Sequence, residues 1–420
     1  MATIPSGSHN TQGALIARAL VERGHAVSWY SGPGFRSKIE ATGARYLPLD
    51  AGLDFEDSTI NEQFPDRQRY SGLRQMKWDI KHVVFDASIG YTRDIVEIEA
   101  RDNFDLILGD VGAPAPVFAS ELTGLPCALY GPIPLMLRSR DTAPFGTALP
   151  PGTGPIFRLR NLLMNGVVSR LIMHDVQRHA NRVRASLGLP ELTSFAFDAL
   201  VERCDLFLQC TTPAFEYPRS DLPEHVHFIG PLLPAATQDF SPPHWWSDLE
   251  SEVPVVHVTQ GTVETNAENL ILPTIRGLAE EDVLIVATTG GQPVKEIGLE
   301  RRPDNLRAER FVPHAQLLRH VDVMVSNGGY GGTQMALSHG VPLVVSGHTE
   351  DKPEVCARVA WSGAGIRLKD NPVKPERLRR AVRTVLKDPA YRSAAARIKA
   401  EFEAYDAPLR AVELLEGLAA

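Results

Sequence analysis

The sequence predicts an α/β protein built from two doubly wound parallel sheets standing side by side, with a ligand cleft between them. Three observations predict it. Each half repeats a short apolar run followed by a longer amphipathic segment. The length, 420 residues, exceeds what one ordinary core holds. A proline-rich polar stretch, "GPLLPAATQDFSPPHWWSDLESE" (230–252), separates the halves. Open parallel sheets bind ligands beyond the carboxyl ends of their strands, so two of them facing each other share a crevice.

In chain order, "MATIP" supplies only four residues before Pro5, fewer than the ~5 to 6 of a typical strand. The first strand is therefore clipped: either it is short or the natural start lies upstream. His9 follows in a Ser/Gly loop, and "GALIARALVERGH" (13–25) reads as a helix with Leu15, Ala19 and Leu20 on one face and Gly24 at its end. "AVSWYSG" (26–32), "DLILGDV" (105–111), "CALYGPI" (127–133) and "DLFLQCT" (205–211) are apolar, short and bounded by turn residues, as buried strands are. "VPVVHVTQG" (253–261), "DVLIVATTGG" (282–291), "VDVMVSNGG" (321–329) and "GVPLVVSG" (340–347) repeat that style. Helices are expected at 267–280, 330–339, 353–362 and 373–387, and over 391–420 with Phe402, Leu409, Val412, Leu415 and Leu418 as its stripe. The expected division is a first domain over 1–232, a linker over 233–250, a second domain over 251–402, and a closing helix over 403–420 that packs back on the first domain.

Composition narrows the function. A net charge of -8 offers no basic excess for nucleic-acid phosphates, although it leaves room for a local anion site. The cysteines Cys127, Cys204, Cys210 and Cys356 have neither CxxC spacing nor a disulfide pattern. No apolar stretch approaches the ~20 residues that span a bilayer, and the amino terminus lacks a basic region followed by an apolar one. A cytoplasmic protein without stable membrane insertion is expected. "FRLRNLLMNGVVSRLIMHDVQRHANRVR" (157–184) mixes arginines with apolar residues and reads as an amphipathic helix beside a small-molecule site, a membrane surface being its other possible contact.

The most informative stretch is "MVSNGGYGGTQMALSHGVP" (324–342). A strand, a glycine turn and a helix start present unpaired N–H groups and the positive end of a helix dipole to an anion. A tight turn with no ligand uses glycine equally well, and no GxGxxG fingerprint opens the first domain. His9 has a side chain suited to general-base work near pH ~6.5, or is an ordinary loop histidine. Asp110 ends a predicted strand, where it faces a ligand or caps the following turn.

Residues 310–365, from "RFVPHAQLL" through the glycine turn to "VAWSGAG", resemble the nucleotide-sugar signature of family 1 glycosyltransferases, which include plant secondary-metabolite enzymes and bacterial macrolide and antibiotic enzymes. "ALVERGHAV" (19–27), "FDLILGDVGAPAPVFASELTGLP" (104–126), "HFIGPLL" (227–233) and "VVHVTQGTV" (255–263) extend the resemblance over nearly the whole chain. It implies the GT-B arrangement of two Rossmann-like domains. It also implies an inverting, metal-independent transfer of a hexose or deoxyhexose from a UDP- or dTDP-sugar co-substrate, with no further cofactor, to a hydroxyl of a small hydrophobic acceptor. The protein would be a monomer or homodimer.

On this resemblance His9 is the general base and Asp110 its carboxylate partner. Phe311 stacks on the base with Val312 and His314 beside it. Gly261 and Thr262 approach the second phosphate, and Gly329, Tyr330, Gly331, Gly332 and Thr333 cradle phosphate at the helix start. Asp351 and Lys352 replace the Asp-Gln pair that reads sugar hydroxyls. Three residues depart from the family pattern: Asn327 replaces a diphosphate-contacting histidine, Met335 replaces a ribose-binding glutamate, and the cation of Lys352 can pair with phosphate or a neighbouring carboxylate. Plainer roles stand beside these: core packing for Phe311 and Met335, a helix cap ahead of Pro353 for Asp351, and surface positions for His314 and His320. The acceptor pocket falls in roughly 60–95 and 133–175, with Phe64, Tyr70, Trp78, Phe85, Tyr91, Met136, Phe145 and Phe157 as its apolar candidates. A GT-B sugar-nucleotide epimerase and a non-catalytic nucleotide-sugar binder are the rival functions.

Overall fold

A computed structural model describes residues 1–55, 60–235, 240–261, 266–299 and 301–420; Thr262 lies outside them. In the first half, β1 (Ser28–Tyr30) and β2 (Arg45–Leu47) pair in parallel, and β3 (Ile107–Asp110), β4 (Cys127–Gly131), β5 (Leu206–Gln209) and β6 (Val226–Phe228) form a parallel run in that order. The clipped first strand joins the two sets, because Ala2 bridges Tyr30 on one side and Gly109 on the other. Pro5, lacking an N–H, stops the ladder soon after.

The second sheet holds β7 (Val255–Thr259), β8 (Leu284–Thr288), β9 (Leu306–Glu309), β10 (Val323–Ser326), β11 (Leu343–Val345) and β12 (Gly365–Arg367) in the order β12-β11-β10-β7-β8-β9. All its pairings are parallel. Every residue of β7, β8, β10 and β11 is buried, as expected where helices cover both faces.

Strands β2, β6, β9 and β12 are absent from the sequence-based expectation, and all four are sheet edges. An edge strand is covered less completely, so it needs no continuous apolar run; "LRAE" of β9 alternates buried and half-buried residues. Two helix boundaries also differ. The first helix spans Gly7–Glu22 rather than 13–25, which places His9 in its first turn and not in a loop. The polar start is held by fully buried Asn10, whose Nδ2 donates to the Ile4 and Ser6 carbonyls at 2.8 and 2.9 Å. The expected 391–420 helix is two, Pro389–Glu403 and Ala407–Ala419; the side chain of Asp406 caps the second by accepting from the Leu409 N–H at 3.1 Å.

That last helix lies against the first one. Ala407, Ala411 and Leu415 share a core with Ile16, Leu108 and Tyr130, while Leu409 points outward. Glu416 accepts from Arg23 at 3.1 Å and pairs with His25 at 2.9 Å. Trp245 and Leu249, from the proline-rich stretch, pack into the core of the second half.

The two halves meet through a buried charge cluster. Arg358 donates to Glu216 Oε1 from Nη2 at 2.6 Å and from Nε at 3.0 Å, and from Nη1 to Glu354 at 3.0 Å. Arg219 also donates to Glu216, at 3.1 Å, and the Arg358 guanidinium covers the Tyr217 ring at 4.1 Å. Glu354 in turn accepts from the backbone N–H groups of Gly146 and Ala148 at 2.8 and 2.7 Å.

Candidate functional site

Both sheets change direction at one place, and the candidate residues gather there. In the first sheet the reversal falls between the Ala2 segment and β3, and in the second between β7 and β10. Such switch points open a crevice because neighbouring crossovers leave on opposite faces.

At the first switch point Asp110 is fully buried at the end of β3. Its Oδ2 accepts from the Ile4 N–H at 2.9 Å, and its Oδ1 accepts from the Gly112 N–H at 2.8 Å and lies 2.7 Å from His9 Nδ1. A carboxylate only accepts, so His9 carries its hydrogen on Nδ1 and directs the Nε2 lone pair elsewhere. The imidazole retains 12 % exposure. Two residues that the sequence did not flag hold it: the Tyr130 hydroxyl donates to the His9 carbonyl at 3.0 Å, and a Cβ on Gly112 would stand 3.0 Å from the His9 ring.

At the second switch point Gly328 has φ of +79°, which only glycine adopts without strain, and a Cβ there would meet Cys356 Sγ at 2.5 Å. Turn geometry thus explains Gly328. It does not explain Gly331, where a Cβ would meet nothing within 4 Å. The helix Tyr330–Ser338 starts here with Gly329 at its cap; Thr333 N–H makes the first turn's bond, to the Gly329 carbonyl at 2.9 Å. Among the described residues no acceptor meets the N–H groups of Tyr330, Gly331 and Gly332. These amides and the helix dipole form a ready anion site.

The surrounding side chains divide into those that face the crevice and those that build the turn. Phe311 is 70 % exposed, so core packing does not account for it. Val312 and Met335 are core residues, and the Tyr330 ring is buried, stacked on Phe215 at 6.3 Å. Thr333 is fully enclosed, and its N–H is already taken by the Gly329 carbonyl, so it builds the turn rather than facing the crevice. Asn327 is buried and donates from Nδ2 to the Gln260 carbonyl, tying the β10 turn to the β7 turn, with Gly261 beside it at φ of +73°. His314 stands 3.4 Å from buried His257, and a Cβ on Gly332 would lie 3.9 Å from its ring. Burial pushes the His314 imidazole down to about 4 and that of His257 down to about 3. Both are neutral near pH 7, so neither brings a positive charge to this end of the crevice.

Lys352 pairs with the Glu350 carboxylate and donates to Thr349 Oγ1 at 3.3 Å; of its two possible partners the carboxylate has it. Asp351 sits at the N-cap position of the helix Lys352–Trp361 yet makes no side-chain cap bond. Desolvation raises its pKa to about 6, opposed by Lys352 and by His9.

The first half also contains a cavity of about 410 Å³ whose walls include Leu53, Phe64, Trp78, His82 and Asp86. Phe85 and Tyr91, expected to line an acceptor pocket, instead lie in the core beneath it. Among the described residues His82, Asp86 and His179 form the group with metal-ligand spacing. Asp86 already bridges the two imidazoles at 2.7 and 2.6 Å, and Arg182 approaches His179 Nδ1 at 3.1 Å, a charge unfavourable to a cation.

Known proteins resemble this chain along its whole length. The family model described as the C-terminal domain of erythromycin biosynthesis protein CIII-like proteins matches residues 273–418. A 4'-demethylrebeccamycin synthase of Lentzea aerocolonigenes is 45 % identical over 418 residues, covering 100 % of this chain and 98 % of that protein. UDP-glycosyltransferase 2 of Phaeomoniella chlamydospora is 34 % identical, with 100 % and 95 % covered. Among solved structures, the kitacinnamycin glycosyltransferase superposes with a TM-score of 0.75 at 23 % identity over 100 % of this chain and 97 % of that one. The glycosyltransferase VinC in complex with dTDP gives 0.69 at 22 % identity over 100 % and 99 %. Identity at this level over the full chain means that the protein belongs to the family 1 glycosyltransferases, in the company of bacterial antibiotic-type enzymes, with the GT-B fold.

Proposed function

We propose that this glycosyltransferase moves a hexose or deoxyhexose from a UDP- or dTDP-sugar to a hydroxyl of a small hydrophobic natural product or phenol, by one inverting displacement and without a metal. The observation that carries the reading is the His9–Asp110 pair at one switch point together with the three unpaired amides at the other. His9 Nε2 takes the acceptor's proton while the oxygen attacks the anomeric carbon from the face opposite the nucleotide. Asp110 holds the ring and stabilises the imidazolium as it forms. Negative charge moving onto the diphosphate meets the N–H groups of Tyr330, Gly331 and Gly332 and the helix dipole.

Exposed Phe311 is the platform for the base, Gly261 lines the phosphate crevice, and Asp351 accepts from sugar hydroxyls. Thr262, at the same loop, lies outside the described residues. Asn327 serves by fixing the two turns to each other rather than by meeting phosphate. The acceptor enters the cavity walled by Trp78 and Phe64. The relatives' names, a rebeccamycin synthase and UDP-glycosyltransferases, support transfer over the epimerase and the idle binder. No helix among the described residues is long and apolar enough to cross a membrane.

Incubation with a panel of UDP- and dTDP-sugars and a phenolic acceptor should yield a glycoside detectable by mass spectrometry. Sugar release or isomerisation with no glycoside for any pair sinks the reading. Phe311→Ala should weaken nucleotide binding by about tenfold or more, since stacking on a base contributes roughly 1–3 kcal/mol. Its melting temperature should stay put, because the ring packs on little; calorimetric titration with UDP and dTDP measures the first effect.

Donor affinity should also fall as pH drops through about 6, where Asp351 takes up its proton, loses its charge and turns one acceptor oxygen into a donor. Asp351→Asn should flatten that dependence. The stability sign is the reverse of a usual carboxylate's. With its folded pKa raised from 3.8 to about 6, the group favours folding most at low pH and loses that contribution as pH rises through about 6. The asparagine variant should therefore melt no lower than the wild type at pH 7.

A further inference from the structure

The helix Pro155–Val167 and the π-helical turn Val168–Ile172 are turned inside out. Ile156, Leu162 and Leu171 are 82, 67 and 72 % exposed, and Leu159, Leu163 and Val167 share their side. The opposite face is polar and buried: Asn161 Nδ2 donates to the Arg140 carbonyl at 3.0 Å, and Asn165 Nδ2 to the Ser139 and Thr142 carbonyls at 3.3 Å. A surface helix of a freely soluble protein has the reverse arrangement, and contiguous exposed apolar surface of this kind marks an interaction site.

Two further features choose the partner. First, residues 153–174 contain Arg158, Arg160 and Arg170 and no aspartate or glutamate. Arg158 turns inward to Asp141; Arg160 lies over the Phe157 ring and donates to Asn161 Oδ1 at 2.8 and 3.0 Å and to the Pro150 carbonyl at 3.2 Å; Arg170 has no carboxylate partner among the described residues. A second copy applied about a two-fold axis would bring this face against itself, cation and leucine against cation and leucine, with no anion to pair. Second, the face runs on to the substrate cavity. The helix Gly72–Asp79 adds exposed Leu73 and Met76, is tied on by Lys77 Nζ donating to the Ile172 carbonyl at 2.9 Å, and carries Trp78 into the cavity wall.

We propose that this face docks peripherally on an anionic lipid surface. The leucines enter the headgroup boundary, and the guanidinium of Arg170 reaches up to the lipid phosphates, with the charge of Arg160 adding to the attraction from behind. The net charge of -8 does not oppose this, because charges elsewhere on the molecule are screened within ~8 Å at physiological salt while the docked face is basic. A hydrophobic acceptor dissolved in the bilayer would then enter the cavity from its own solvent.

The test is co-sedimentation of the full chain with phosphatidylcholine vesicles containing about 30 % phosphatidylglycerol, which needs no sugar transfer and so fails or succeeds independently of the proposed reaction. Binding is expected to weaken by about tenfold or more in pure phosphatidylcholine and at about 1 M salt. The Leu162→Glu/Leu171→Glu variant should lose it at an unchanged melting temperature, and Arg170→Glu, a single exposed change, should weaken it by several-fold. Three outcomes overturn the proposal: no binding by the wild-type protein, binding equal in both variants, or a dimer seen by light scattering that covers the face and stays in the supernatant.

Discussion

His9→Ala lowers the rate of glycosyl transfer by about 10²- to 10⁴-fold, the usual worth of a positioned general base, and leaves UDP or dTDP affinity within about twofold. The expectation follows from where the imidazole stands. It belongs to the first half of the chain, its Nδ1 engages Asp110 at 2.7 Å, and the anion-binding amides belong to the second half. Deleting the ring removes the proton acceptor but touches none of the N–H groups that hold the donor. Single-turnover rates and calorimetric donor titration separate the two. A variant that loses donor affinity to the same degree as rate would show His9 to be a binding residue and not the base. Asp110→Asn should fall in the same direction through a misoriented ring, and the double variant should be little worse than His9→Ala, because paired residues act as one unit.

How much of this was legible in the sequence depended on how each residue is surrounded. Central strands were readable because burial on both faces demands an unbroken apolar run, as in "VVHVT" and "VMVS". The edges β2, β6, β9 and β12 were not, because a strand covered on fewer sides can keep Arg45, His227 or Arg307 in its register. The glycine turn was readable as a strand-to-helix junction, yet the division of labour inside it was not. Backbone φ at Gly328 and open space at Gly331 are facts of three-dimensional placement that both spell Gly.

The start of the first helix was hidden for a related reason. "GSHNTQ" is polar and reads as loop, but Asn10 is buried and bonded to the carbonyls of Ile4 and Ser6, which periodicity of apolar residues does not register. The resemblance supplied His9 and Asp110, and the structure joined them in one hydrogen-bonded pair. It also showed Asn327 tying the β10 turn to the β7 turn.

Glu216→Ala is expected to destabilise the protein by about 3–5 kcal/mol, the cost of leaving a buried charge without its partner, against a total of roughly 5–15 kcal/mol for a folded domain. Two buried guanidiniums, those of Arg358 and Arg219, converge on this one carboxylate, along with the Leu135 N–H at 3.1 Å and the Tyr217 N–H at 2.7 Å. Burial pushes the Glu216 carboxyl up, but Arg358 and Arg219 outweigh it and hold the group below its ordinary range. The stability it contributes is therefore complete above the unfolded carboxylate pKa and is lost as pH falls through the lowered value, so wild type and variant should converge in acid.

Arg358 comes from the second half and Glu216 from the first, so the damage should be specific to their junction. Calorimetry should resolve two transitions in the variant, with donor stabilising only the one that belongs to the second half, because the unpaired amides at residues 330–332 remain in their own domain. Glu216→Gln keeps the shape and one acceptor oxygen for the Tyr217 N–H and the guanidiniums, but turns its NH2 toward the Leu135 N–H, and should lose less than the alanine variant. If Glu216→Ala melted as a single transition at the wild-type temperature, the Glu216 contacts would be passive, and the junction would have to be held by the other contacts between the halves: the Gly146 and Ala148 N–H groups on Glu354, the stacking of Phe215 on Tyr330, and the closing helix Ala407–Ala419.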